Sequence, residues 1–232
     1  MKVFSVICAL FMAAVCVSAA PYTKPANAVG KPVWSTTLRG EVVLFAYAAP
    51  DAPAVLDFDI IYTRWGYNIP VTVTAPDGKA AQGFTINAKR FTYVFETANA
   101  GVYTFRFKTL CAIKVRAFSA GWGIDCSRRL GMMGQSRVDT MYLCIPGGSS
   151  GISLHLTGEG QEKVGCELFD HNGKKVGELP YTAGDRILDA PATASEKDEF
   201  YQLKIRGQED HAMDLMTPEH KIIYTDPANA LK

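Results

Sequence analysis

The chain has 232 residues, 48% of them hydrophobic, and carries 24 basic against 23 acidic side chains. That balance offers no cationic face able to displace counterions from phosphate. It excludes a nucleic-acid binder and a polybasic membrane-surface mode.

In chain order, Met1-Lys2 and the apolar run "VFSVICALFMAAVCV" (3–17), followed by the small residues "SAA" (18–20) and Pro21, have the layout of a secretory signal. The run is too short to span a bilayer comfortably. Residues 1–20 are read as a signal peptide cleaved after Ala19 or Ala20, which predicts a secreted or periplasmic, envelope-associated protein. A lipoprotein would need a cysteine after a small residue, whereas Val15 precedes Cys16. No later apolar run reaches ~18 residues, so no membrane span is expected in the mature chain. Residues 21–40 read as a leader.

From residue 41 onward, period-two alternation dominates. In "VLDFDI" (55–60), Leu56, Phe58 and Ile60 share one face, and Asp57 and Asp59 take the other. "FTYVFE" (91–96) and "VYTFRFK" (102–108) alternate likewise. Such strands bury one side and wet the other, as antiparallel sheets do. No segment shows a helical stripe; the nearest candidate, "SRRLGMMG" (127–134), is broken by glycines.

The same order of landmarks occurs twice, 95 to 98 residues apart. "FAYAAP" answers "MYLCIP", "LDFDI" answers "ISLHL", "APDGKAA" answers "DHNGKKV", and "VYTFRFK" answers "FYQLKIR". This predicts an all-β chain of two tandem antiparallel β-sandwich domains, jelly-roll or Ig-like, over 41–118 and 138–226. The Gly- and Ser-rich stretch 119–137 reads as a linker, and 227–232 as a tail. Trp34 in the leader and Trp122 in the linker could pack the two units together or extend a binding face.

The order of strand, "PDGK" turn, aromatic strand and "AGVYTFRFK" resembles the bacterial pre-peptidase C-terminal (PPC) type of β-sandwich module. "MYLCIPGGSSGISLHLTGEG" with "CELFDHNGKKV" resembles β-sandwich modules of secreted bacterial polysaccharide-associated proteins. The resemblance implies a non-catalytic accessory role, with carbohydrate binding or assistance in export and folding. No enzyme domain accompanies the modules in this sequence, so accessory action on an enzyme of the same chain is not expected.

Once Cys8 and Cys16 leave with the signal, Cys111, Cys126, Cys144 and Cys166 remain, an even number in an exported chain. Disulfides are expected, with Cys111–Cys126 and Cys144–Cys166 preferred among three pairings. Zinc lacks a CxxC or a suitably spaced histidine, and four buried thiols are the remaining alternative.

Chemistry-bearing residues are few. Gly147-Gly148-Ser149-Ser150-Gly151 fits G-x-S-x-G, but the following "ISLHLT" reads as a strand where a nucleophile elbow needs a helix. His155 shares a polar strand face with Ser153 and Thr157, and His171 belongs to a turn. His211, with Glu209, Asp210 and Asp214 in "EDHAMD", reads as a charged exposed edge strand rather than a metal or acid–base cluster. Asp57 and Asp59 could share a calcium ion, though surface solubility accounts for them. No cofactor and no enzymatic activity are expected.

The strongest candidate is "YTRWGYN". Tyr62, Arg64, Trp65, Tyr67 and Asn68 combine aromatic rings for sugar C–H faces with polar partners for hydroxyls. Trp65 is read preferentially as a lid on the core and Tyr67 as exposed. The expected partner is an extracellular polysaccharide, with an envelope protein as the alternative.

Overall fold

In "IPVTVT" the side chains at positions 69, 71 and 73 are buried, while those at 70 and 72 face water. Extended backbone turns successive side chains to opposite faces, so alternation in sequence becomes a sheet with one dry side. The computed structural model describes residues 37–63, 66–119, 121–134 and 136–231. Residues 1–36, where a signal and most of a leader with Trp34 are expected, and Arg64 and Trp65 lie outside the described residues. Among the described residues the chain is antiparallel β almost throughout, sixteen strands in one hydrogen-bonded sheet.

Two long strands organise it. β6 (Gly101–Ala117) pairs along one edge with β1 (Thr37–Ala48). Along its other edge, Thr104–Phe107 pair with β3 (Ile69–Thr74), and Ala112–Ala117 pair with β2 (Ala54–Tyr62). β1 divides in the same way: Leu44–Ala46 pair with β7 (Trp122–Asp125), and Thr37–Arg39 with β8 (Leu130–Met133). The sheet therefore forks into two layers that share β1 and β6. One layer runs β4 (Ala80–Ile86), β3, β6, β1, β7, β16 (Ile222–Tyr224), β9 (Val138–Ile145), β14 (Glu199–Gly207), β11 (Lys163–Phe169) and β12 (Lys175–Ala183). The other runs β5 (Arg90–Phe95), β2, β6, β1, β8, β15 (Asp210–Thr217), β10 (Gly151–Gly158) and β13 (Asp185–Pro191).

Aromatic rings join the layers at one end. Phe58 of β2 lies 5.9 Å from Phe84 of β4, which stacks on Tyr93 of β5 at 3.7 Å. At the far end β12 and β13 nearly close the sheet: a Cβ on Gly177 would come within 2.9 Å of Leu188. One buried apolar cluster extends from Leu38 to Ile223 through both halves.

The pairing pattern recurs. Leu56–Ala117, Phe58–Val115 and Ile60–Ile113 join β2 to β6. Leu154–Leu215, Leu156–Met213 and Gly158–His211 join β10 to β15 in the same register, each residue 98 positions further along. Ala75 N–H donates to Lys79 O and Gly78 N–H to Ala75 O; Asp170, Lys174 and Gly173 repeat both bonds. Gly78 and Gly173 hold φ of 81° and 78°, the left-handed region that glycine enters without strain. The "DGK" and "NGK" turns and the "VYTFRFK" match thus coincide with the structural equivalence. The first strand is displaced by one residue from the sequence match, because Ala46 rather than Tyr47 faces the core as Leu143 does.

Where β6 continues around the bend, the second half breaks into β14 and β15, and where β1 continues, it breaks into β8 and β9. Residues 119–137, expected to be a linker, supply β7 and β8 instead. The second half of "SRRLGMMG", Leu130–Met133, is strand, because Leu130 and Met132 both turn into the core. β7 pairs with β1 and β16, and β8 with β1 and β15, so the two halves are stitched edge to edge. Ile124 opposes Ile223 in one layer and Leu38 opposes Met132 in the other, and all four are buried. Trp122 is buried in β7, and the tail packs back, with Leu231 reaching Gly121.

The expected disulfides are corrected: all four described cysteines are free. β14 separates β9 from β11, with Cys144 opposite Phe200 on the outer face and Cys166 opposite Ile205 on the core face. Cys126 Sγ points to Met213 O, while Cys111 Sγ points to Gly66 O. Burial pushes the Cys126 thiol up to about 12 and the Cys166 thiol to about 11, which suppresses the reactive thiolate. Alkylation of these two in the native protein should be slow. Unfolding without reductant should expose all four to a mass tag; a mass deficit after tagging would reveal a bridge.

Candidate functional site

At the seam, beside the bend of β1 and β6, lies a pocket of about 270 Å³ lined by Arg39, Thr109, Leu110, Arg129, Glu159, Asp210 and His211, among others. β6 bulges here: Thr109 Oγ accepts from Cys111 N at 2.9 Å, which turns Leu110 outward to 65% exposure. Arg39 pairs with Asp210, and Arg129 with Glu159 at 2.8 Å. Glu41, also on the wall, is held by Arg106 at 2.9 Å. Of the three carboxylates on the wall, Asp210 and Glu159 pair with its two guanidinium groups, and Glu41 with Arg106, which lies outside it. The bond to Asp210 raises the Arg39 pKa further.

His211 is the unusual member. It is 2% exposed and lies on an internal strand between β8 and β10, so the expected exposed edge is corrected. In the repeated register it stands where the first half has Ile113, a core residue. Its Nδ1 lies 3.1 Å from Glu209 O. A carbonyl oxygen can only accept, so the ring proton sits on Nδ1 and Nε2 presents a bare lone pair. Among the described residues Nε2 has no partner, and neither does the buried Oδ1 of Asp210.

Burial lowers the pKa of His211 and of His220 below the ordinary 6.5. Both are neutral in the fold at neutral pH, whereas the unfolded chain takes up protons near 6.5, so protonation favours unfolding. Stability from this source is complete above that pH and falls as the pH drops through it toward the lower folded values. A urea midpoint measured across this window should decline on acidification, and His211→Asn should flatten part of the decline.

The aromatic loop flanks the same bulge. Tyr62 ends β2 opposite Ala112, Gly66 O approaches Cys111 Sγ at 4.0 Å, and Thr63 Oγ donates to Gly66 O at 3.1 Å. Tyr62 and Tyr67 are 47% and 39% exposed, and Asn68 is exposed. Arg64 and Trp65 of this candidate set lie outside the described residues.

The other candidates are engaged elsewhere. Asp57 accepts from Thr92 at 2.8 Å and lies 3.6 Å from Arg116, and Asp59 lies 3.9 Å from Arg90. Among the described residues no group of three or more His, Cys, Asp or Glu is placed to hold a metal ion. Ser149 sits between β9 and β10, so the residues after it are a strand rather than the helix of a nucleophile elbow. His155 lies 3.4 Å from Asp214 on the outer sheet face, and His171 2.8 Å from Glu199.

Sequence reading found the loop but missed the pocket, whose residues come from five separate segments. One signal was available: extending the second copy by the 98-residue spacing sets His211 against Ile113, a core position.

No family model matches the chain, and no curated protein does. Among solved structures it is similar to one described as "Structure of infectious bursal disease virus Gx strain". The match has 9% identity, covers 89% of this chain and 74% of that chain, and has a TM-score of 0.20. A superposition that loose carries no argument about fold or function.

Proposed function

We propose that this is an exported, non-catalytic binding protein made of two fused β-sandwich units, which holds carbohydrate at the seam between them. The supporting observation is the neighbourhood of the β6 bulge. Exposed Tyr62, Tyr67 and Leu110 offer apolar surface, and the pocket beside them is lined by arginine and carboxylate side chains whose remaining N–H and oxygen sites can pair with hydroxyls. Sugars need both kinds of contact. The resemblance of "PDGK" and "AGVYTFRFK" to PPC-type modules supports an accessory, sugar-directed role, and residues 1–20 support export.

A glycan array or polysaccharide pull-down tests this. Tyr67→Ala should weaken retention about two- to tenfold, the loss of one aromatic contact, with Tyr62→Ala acting in the same direction. Retention on no glycan at all would end the proposal.

A second reading rests on β4. Its sequence "AAQGFTI" carries no charge, and its outer edge has no strand partner among the described residues. Such an edge can accept a strand from a partner in the envelope. That reading expects glycan-independent co-purification of a protein, abolished by Gln82→Lys.

A further inference from the structure

Folding gathers charge that the sequence spreads out. A second pocket, of about 280 Å³, adjoins the first across Glu41 and Arg129, and lies between β1, β6 and the β7–β8 turn. Arg106 of β6 and Arg128 and Arg129 of the turn line it, together with the carboxylates of Glu41 and Asp125. The first pocket sets three carboxylates against two guanidinium groups; this one sets three guanidinium groups against two carboxylates. Both of those carboxylates are already engaged. Glu41 accepts from Arg106 at 2.9 Å, and Asp125 accepts from the Ser127 N–H at 2.8 Å.

The cations keep capacity in reserve. Arg106 holds Glu41 through Nη1 alone, and Arg129 holds Glu159 through Nη2 alone, whereas a guanidinium has five N–H donors. Among the described residues no ion pair engages Arg128. All three arginines are exposed, so these donors are open to a ligand. Ser127 adds a hydroxyl and Val43 a small apolar surface. The turn is fixed at both ends: buried Cys126 donates its N–H to Lys221 O at 2.8 Å, and Leu130 is buried in the core. The backbone that presents two of the arginines therefore needs no ordering on binding.

Resting on the carbohydrate reading above, we infer that this second pocket is the anion subsite for an acidic polysaccharide, with Arg106, Arg128 and Arg129 donating to the carboxylate or sulfate of one sugar unit. The planar guanidinium fork matches such oxygens two at a time. A neutral sugar would leave the surplus of donors to water. A nucleic-acid strand would need a longer cationic track than three side chains supply.

The test titrates the full chain by calorimetry with oligogalacturonate as the carboxylate, a dextran sulfate oligomer as the sulfate, maltohexaose as the neutral sugar and polyphosphate as an anion without sugar. At least one acidic oligomer should bind more tightly than maltohexaose and polyphosphate, and the tighter of the two names the anion. Arg128→Ala should weaken that binding about tenfold, and Arg106→Ala should act in the same direction. Arg128 is exposed in a turn, so its loss leaves the fold intact. Arg90→Ala is the control, since it removes the same charge from the distant β5, where the side chain is 84% exposed, and should change nothing. Equal losses in Arg90→Ala and Arg128→Ala would mean ion exchange and overturn the inference, as would tighter binding of polyphosphate. Tighter binding of maltohexaose, or retention of neutral glycans alone on an array, would overturn it and leave the carbohydrate reading standing. No binding by any oligomer, in a protein that also retains no glycan on an array, removes both.

Discussion

Phe58→Ala is expected to destabilise the protein by about 3–5 kcal/mol, the range for deleting a buried aromatic ring. Phe58 is fully buried, and its ring meets Phe84, Phe91 and Phe107 with centroids 5.9 to 6.5 Å apart. These four rings come from β2, β4, β5 and β6, so one truncation loosens both layers at the end of the molecule where β4 and β5 have no outer neighbour among the described residues. Interiors are close-packed, and the rigid rings around the void cannot collapse to fill it. For a chain of this size the loss corresponds to a fall in Tm of roughly 6–20 °C. Thermal unfolding measures it directly. A fall of only a degree or two would show that this end of the sheet packs less tightly than described.

Gly207→Ala is the second large effect, and it connects the core with the pocket. A Cβ at Gly207 would fall 2.2 Å from His211 Nδ1 and 2.3 Å from its Cε1. The ring is enclosed and cannot swing away without leaving its bond to Glu209 O. Overpacking of this kind costs about 1–3 kcal/mol or more. The expected outcome is a lower urea midpoint. Trimming the ring in Gly207→Ala/His211→Ala should recover part of the stability. Equal stability of the single variant and the native protein would mean that β14 and β15 lie further apart at this corner.

Much of the architecture was legible. Period two is written plainly in "LDFDI", "IPVTVT" and "VYTFRFK", and each became a strand with the expected inward face. The turns "PDGK" and "HNGK" were legible because only glycine accepts their fourth backbone position cheaply. The seam was not. "WGID" and "LGMM" are four-residue strands whose identity depends on partners roughly 75 to 100 residues away in both directions, which no local pattern reveals. His211 was misread for a related reason. Its neighbours Glu209, Asp210 and Asp214 look like a solvated face, and only the long-range pairing to Met132 and Gly158 turns the imidazole inward. The cysteine pairing followed a compositional rule about exported chains, and for Cys144 and Cys166 a sheet that sets them on opposite faces, with β14 between their strands, overrode it.

The pairings of Ile124 with Ile223 and of Leu38 with Met132 carry a consequence for motion. A tethered pair of modules swivels at its joint and forfeits that freedom when it clamps something. Here the ladder crosses the midline in both layers, so the halves have no joint to freeze, and whatever settles at the midline meets a surface already in its final shape.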